Sequence, residues 1–302
     1  MVGAVDEQGG IGDERWAPTS ELASAEAVCD TIAELVGEIA EANPGLSRVG
    51  VGAPCTIDRA SGVSVSSVHL PLVDFPLRDA LAERVEMSLA LDNDGNCALL
   101  AEHRLGAARG ASDAVMLTLG TGIGGGILIG GEIYRGSHGS AAELGHMVVA
   151  AEGPACEGRC GAEGCIESLA SGNALGREGL SAAERSPASA LGAAVADGSY
   201  RGGETVVACA REGDAAALGV LAEAGRYLGI ALASIANALD PELIVIGGGA
   251  AGAGDLLLDP ARSELAARAL RPMNAVPVVE AQLGPEAGMV GAALLAVDEP
   301  AG

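Results

Sequence analysis

The stretch from Glu143 to Glu167 constrains this chain more than any other. It carries His146, Cys156, Cys160 and Cys165 in the spacing His-x9-Cys-x3-Cys-x4-Cys, bracketed by Glu143 and Glu167. Three thiolates and one imidazole form a complete tetrahedral shell for Zn²⁺, with no position left open for water. A closed shell is a structural staple. The fold must bring both ends of this stretch together in one loop, and the chemistry then falls to the carboxylates and glycine-rich turns around it.

The remaining cysteines, Cys29, Cys55, Cys97 and Cys209, are scattered among apolar neighbours and read as reduced core residues. With an odd total of seven and no secretory signal, a disulfide framework is not expected. The N-terminus has neither a basic region nor an apolar one, so the expected location is the cytoplasm. No uninterrupted apolar run reaches the roughly 20 residues of a bilayer span, and no membrane partner is expected. The net charge is −24, and all 17 basic residues are arginine. Such a surface repels a phosphate backbone, which argues against nucleic acid as a partner. Without lysine, any handling of phosphate must rest on backbone amides, arginine or Mg²⁺. Aromatics make up 2% of the chain, so Ala, Val, Leu and Ile must build the core.

Strands alternate with helices, which implies an α/β protein. Two short strands joined at Glu7–Gly10 open the chain, and a helix follows from about Ser20 to Ala42, capped by Ser20 or Ser24. Strands are expected at 48–53, 88–91, 114–119 and 243–246. A hairpin is expected around Gly130-Gly131, and Ala-rich helix fills most of 168–239, softened near 197–203. Short helices are expected at 77–86, 96–105 and 288–296. Glycine-rich turns at 120–126 and 247–249 directly follow strands, the positions where open α/β sheets receive ligands.

Three further segments could carry chemistry. In LDNDGN, Asp92 and Asp94 alternate along an extended backbone and so point the same way. Either could serve as general base for an alcohol, or the segment could be a turn and a helix cap. In TLGTGIGGG, five glycines fall in the seven positions 120–126. Their N–H groups could converge on an anion, or the segment could be a glycine-rich hairpin. It is neither a Walker A loop nor a dinucleotide fingerprint. Ile246–Gly249 could approach a nucleotide base or ribose, or simply turn a strand into a helix.

Taken in order, Asn93-Asp94, LGTGIGGG, AELGHM, the CGAEGCIE segment and IVIGGG resemble the ROK family of sugar kinases, and within it the bacterial glucokinases. The resemblance runs from about Val5 to Ala296. It implies a two-lobed, actin-like (ribonuclease H-like) α/β fold with sugar and ATP in the cleft between lobes. The small lobe would span 1–97, with the C-terminal segment 286–302 packing back onto it. The large lobe would span 98–285. The implied reaction is ATP-dependent phosphorylation of a hexose, glucose to glucose 6-phosphate first among them, although mannose, fructose and N-acetylated hexosamines use similar residues. Asp94 would be the base, while Asn93, Glu143, His146 and Glu167 would bind the sugar hydroxyls. His146, Cys156, Cys160 and Cys165 would hold structural Zn²⁺. Gly120, Thr121, Gly122, Gly124 and Gly125 would receive the phosphates of Mg²⁺–ATP, and Gly247, Gly248 and Gly249 would lie near adenosine. A homodimer or higher oligomer is implied as well.

Two departures from the family pattern stand out. The family has Cys-x-Cys where this chain has Cys156-x3-Cys160, so Glu157-Gly158-Arg159 should bulge without loss of the metal. The opening VGAVDEQGG matches the family's second strand, so the first strand and its Asp-x-Gly-Gly-Thr phosphate loop are expected to be missing, as if the natural chain began further upstream. That departure keeps a second function in view, a sugar-binding relic or sensor without phosphoryl transfer. A repressor of the same family would need an N-terminal DNA-binding segment, for which there is no room.

Overall fold

The computed structural model describes residues 1–19, 22–67, 70–158 and 160–298. Ser20, Arg159 and the last four residues of the expected C-terminal segment lie outside them. The chain divides into two compact units. One comprises 1–110, 126–142 and 282–302; the other comprises 111–125 and 143–281.

The first unit opens with β1 (Val2–Val5) antiparallel to β2 (Ile11–Arg15). Asp6 sets the turn between them, its Oδ1 accepting from the Gln8 and Gly10 amides at 2.8 and 2.7 Å. Helix α1 (Ala25–Ala42) starts at Ser24, whose hydroxyl accepts from the Ala27 N–H. It buries Val28, Cys29, Val36 and Ile39. Strand β3 (Arg48–Ala53) is followed by a hairpin, β4 (Cys55–Asp58) and β5 (Val63–Ser67), which was not anticipated. After α2 (Leu77–Ala82), β6 (Ser88–Asn93) pairs parallel with β3, so that Ala53 lies opposite Asn93. Helix α3 (Asp94–Leu105) begins at the residue after the strand.

In the second unit, β7 (Ala114–Leu119) leads through a glycine turn into β8 (Ile123–Ile129), whose far end belongs to the first unit and pairs there with β9 (Glu132–Ile133). The expected Ala-rich helix is divided into α4 (Ile166–Ala170), α5 (Gly172–Arg185), α6 (Ala190–Ala196), α7 (Gly203–Arg211) and α8 (Ala215–Leu239). The reason is capping. Ser171, Ser189 and Asp214 each accept an N–H from three residues on, which starts a new helix wherever such a side chain interrupts the alanines. Strand β10 (Leu243–Gly247) lies parallel to β7. Helix α9 (Asp255–Arg268) went unread because Pro260 sits inside it and breaks the helical pattern. It precedes β11 (Val278–Glu280), parallel to β10 on its other side. The chain returns to the first unit with α10 (Ala287–Asp298).

Each unit has its own core. In the first, Val28 and Cys29 of α1 meet Ile57, Leu72, Leu77, Leu81 and Leu91. In the second, α8 is long and apolar enough to span a bilayer by length and composition. Leu221, Leu228, Leu232 and Ile235 of this helix are nonetheless buried within the protein. Two glycines, Gly225 and Gly229, let α8 press onto the backbone of α9 at Leu257 and Ala261.

Helix α10 is seated in the same way against α3, because a Cβ on Gly291 would run into the Cys97 carbonyl. Gly291→Ala should therefore lower the unfolding free energy by about 3 kcal/mol through overpacking. Chemical denaturation measures this, and an unchanged midpoint would refute the contact.

Candidate functional site

Residues 143–167 form a loop within the second unit. Ala142, held at φ 71°, turns the chain just before Glu143. A single 3₁₀ turn, Leu144–His146, then fixes the imidazole. Beyond it, the Val149 and Ala150 amides both donate to the Gly164 carbonyl, and Cys156 N–H donates to Ala162 O, which closes the loop on itself. The ligand atoms of His146, Cys156, Cys160 and Cys165 all lie within 4.8 Å of one another. Tetrahedral Zn²⁺ at about 2.3 Å from each sulfur needs S···S separations of about 3.8 Å, so the cluster accepts the ion with small adjustments. Desolvation, together with the neighbouring Cys165 and Cys160, pushes the Cys156 thiol well above its ordinary range. A bound cation would favour the thiolate form of Cys156 against that desolvation.

The orientation of His146 is specific. Its Nδ1 lies 3.5 Å from Cys156 Sγ, while Nε2 lies 4.0 Å from Glu143 Oε2. One nitrogen faces the thiols and the other faces a half-exposed carboxylate. Glu167, on the first turn of α4, is nearly buried. Its Oε2 accepts the Ile123 N–H at 2.9 Å, and Oε1 lies 3.6 Å from Cys156 Sγ. The extra residues between Cys156 and Cys160 are fitted to this site. A Cβ on Gly158 would collide with Glu167 Oε1 and stand 2.7 Å from His146 Cε1.

The glycine turn before β8 divides its work. Gly120 N–H donates to the Gly122 carbonyl, and the Ile123 amide is taken by Glu167, so neither amide is left for a phosphate. Gly122 is required because a side chain there would strike Glu167 Oε2, and Gly124 lies against Thr118 Oγ1. Gly125 lies within β8. Gly120 and Thr121 instead line a cavity of about 730 Å³, together with Gly172, Asn173, Arg177, the 200–204 turn, Arg211 and Gly249. Of the three glycines after β10, only Gly249 lines it. Gly247 packs near Met116, and Gly248, at φ 87°, presses on the backbone of Leu119. The charged groups lining the cavity are Arg177, Arg201, Arg211 and Glu204, an excess of positive charge in a chain of net charge −24. The sequence reading missed all four, and also Asn173. Their one advance signal was arginine in an otherwise acidic, lysine-free chain.

In the first unit, LDNDGN forms a strand end and the N-cap of a helix. The expectation that Asp92 and Asp94 point the same way fails, because the strand ends at Asn93 and Asp94 already belongs to α3. Asp92 is buried and fully engaged. Its Oδ1 accepts from Asn93 N and Asn96 Nδ2, and its Oδ2 from Arg135 Nε at 2.6 Å. Asn93 caps α3, accepting from the Gly95 and Asn96 amides, and its Nδ2 donates to the Cys55 carbonyl. Asp94 is left exposed at the helix N-terminus.

Comparison with known proteins places this geometry in context. The model for the ROK family matches residues 1–299. The chain is 36% identical to the glucokinase of Streptomyces coelicolor over 302 residues, covering 98% of this chain and 93% of that one. It is 40% identical to the glucokinase of Halalkalibacterium halodurans over 248 residues, covering 82% and 74% of the two chains. The structure superposes on the ROK family glucokinase from Streptomyces griseus in complex with glucose and AMPPNP with a TM-score of 0.87, at 36% identity, covering 98% of this chain and 95% of that one.

Two outcomes are expected. The isolated protein should carry one Zn²⁺ per chain, measured by plasma mass spectrometry, and Cys165→Ser should lose most of it; zinc-free wild type would refute the assignment. Arg135→Ala should cost about 3 kcal/mol of stability, because it strands a buried aspartate. A denaturation midpoint equal to wild type would show that Asp92 does not depend on its partner.

Proposed function

The chain belongs to the ROK family, and on that premise we propose that it is a glucokinase, transferring the γ-phosphoryl group of Mg²⁺–ATP to the 6-hydroxyl of glucose. The observation that carries this reading is the placement of His146. A bound metal would immobilise its Nδ1 side, leaving Nε2 beside the Glu143 carboxylate as a rigid donor–acceptor pair. A polyol is recognised by such pairs, because each hydroxyl both gives and takes a hydrogen bond. Glu167, held between Ile123 and the thiol cluster, adds a second fixed acceptor. The similarity to glucokinases over nearly the whole chain supports glucose over other hexoses.

His146, Cys156, Cys160 and Cys165 would hold a structural Zn²⁺, which would supply rigidity and no reaction step. Asp94 acts as general base. Its neighbour Asp92 is buried and paired with Arg135, whereas Asp94 is exposed at the start of α3, where its Oδ1 accepts the Gly95 N–H, and can take a proton from the attacking hydroxyl. The sugar oxygen then bonds to the γ-phosphorus as the bond to the ADP oxygen breaks. Phosphoryl transfer of this kind depends on positioning and charge stabilisation. The cavity of the second unit suits the nucleotide in size and charge. Its arginines take the place of the lysine that this chain lacks, and Thr121 and Gly249 give its polypeptide wall close approach.

A coupled ADP-release assay with a hexose panel tests the reading, with turnover on glucose expected to exceed that on the other sugars. Asp94→Asn should lower kcat about a hundredfold or more while glucose still binds, since a general base contributes on that scale. Turnover within a few-fold of wild type would remove Asp94 from the role. Glucose binding without any turnover in the unaltered protein would identify a sugar-binding relic instead.

A further inference from the structure

The bulge between Cys156 and Cys160 reaches further than the metal. Glu157, the residue after the first cysteine, extends its carboxylate to α5. Its Oε2 accepts from Asn173 Nδ2 at 2.8 Å, and its Oε1 lies 3.3 Å from Arg177 Nη1. Both partners line the 730 Å³ cavity. Asn173 also rests on the glycine turn, its backbone N–H donating to the Thr121 carbonyl at 3.3 Å, while Gly172 N–H donates to Gly120 O at 2.8 Å. Arg177 is held from two other sides, with Nη2 on the Ser168 carbonyl at 2.6 Å and Nε 3.2 Å from Glu178 Oε1. One side chain thus joins the cysteine loop to two residues of α5 that line the cavity.

We propose that Glu157 is a positioning residue through which metal occupancy of the His146–Cys165 loop sets nucleotide affinity. The inference rests on the kinase reading and deepens it. With a metal bound, Cys156 would be fixed beside Glu157, and Gly158 is packed against Glu167 and His146. Glu157 then holds the Arg177 guanidinium at the cavity wall and keeps the first turn of α5 against Thr121. Without the metal, Glu157 loses the anchor at Cys156, and the long Arg177 side chain regains freedom that nucleotide binding must remove again. As an isolated ion pair, the Glu157–Arg177 contact is half-exposed and weak. Its effect comes from what it orders.

The test compares wild type, Glu157→Ala and Glu157→Gln, each with and without a zinc chelator. The readouts are zinc content, calorimetric affinity for a non-hydrolysable ATP analogue, and separate KM values for ATP and glucose. Glu157→Ala should keep its zinc and its glucose KM, and should weaken analogue affinity and raise the ATP KM about five- to tenfold, a change equivalent to about 1 kcal/mol. Glu157→Gln should recover part of that loss, because its amide oxygen still accepts from Asn173. Chelation should weaken analogue binding in wild type and add little in Glu157→Ala, since both changes release the same side chains. If zinc-loaded Glu157→Ala binds the analogue as wild type does, the proposal fails and the kinase reading stands. If chelation weakens both proteins equally, Glu157 is not the link and the proposal fails in that form. A wild-type protein that binds no ATP analogue at all would overturn the kinase reading, and the inference with it.

Discussion

Much of the second unit is arranged around the Glu167 carboxylate. Burying a carboxylate is costly unless its oxygens find donors, so its position is narrowly determined. One oxygen takes the amide of Ile123, the first residue of β8, and the other faces the Cys156 thiol. Glycine is thereby imposed at two distant points in sequence, Gly122 and Gly158, because each backbone passes close to a carboxylate oxygen. The start of a strand, the start of a helix and the metal loop are held in one arrangement by one side chain. A loop rich in alanine and glycine has little packing energy of its own, and a buried carboxylate takes on that task.

The first unit solves a related problem with Asp92. A strand that runs directly into a helix leaves helix N–H groups and a strand-end carboxylate crowded together. Asn93 satisfies the helix, Arg135 neutralises Asp92, and Asp94 is released to the surface. Two aspartates two residues apart come to opposite fates because the backbone changes from a period of two to a period of 3.6 between them. The same switch separates a buried, ion-paired carboxylate from an exposed one without any change of residue type.

The absence of lysine shapes the cavity of the second unit. Arginine binds in a plane with fixed donor directions, and holding it in place requires partners around the guanidinium. Arg177 has three, and Arg201 and Arg211 are tied to backbone carbonyls. A cavity lined by tethered arginines is pre-organised for an anion, at the cost of needing a residue such as Glu157 to do the tethering.

The sequence alone picked out the His146, Cys156, Cys160 and Cys165 cluster, because four soft donors in twenty residues admit few other uses, and the fold brings their ligand atoms within 4.8 Å of one another. It also determined the main strands, since a buried strand writes its β-branched run locally, and it placed the turn at Gly130-Gly131. It misjudged the shared direction expected of Asp92 and Asp94, and it missed α9, whose pattern Pro260 interrupts. It could not separate the glycines that line the cavity, Gly120 and Gly249, from those present only because another part of the chain passes close by, such as Gly122 and Gly248. Local sequence cannot encode that distinction, since it depends on which distant backbone or carboxylate arrives at the position. For the same reason only the tertiary structure revealed Arg135 as the partner of Asp92 and joined Glu157 to Arg177. Pairings across tens of residues are fixed by packing, and packing is decided by the fold as a whole.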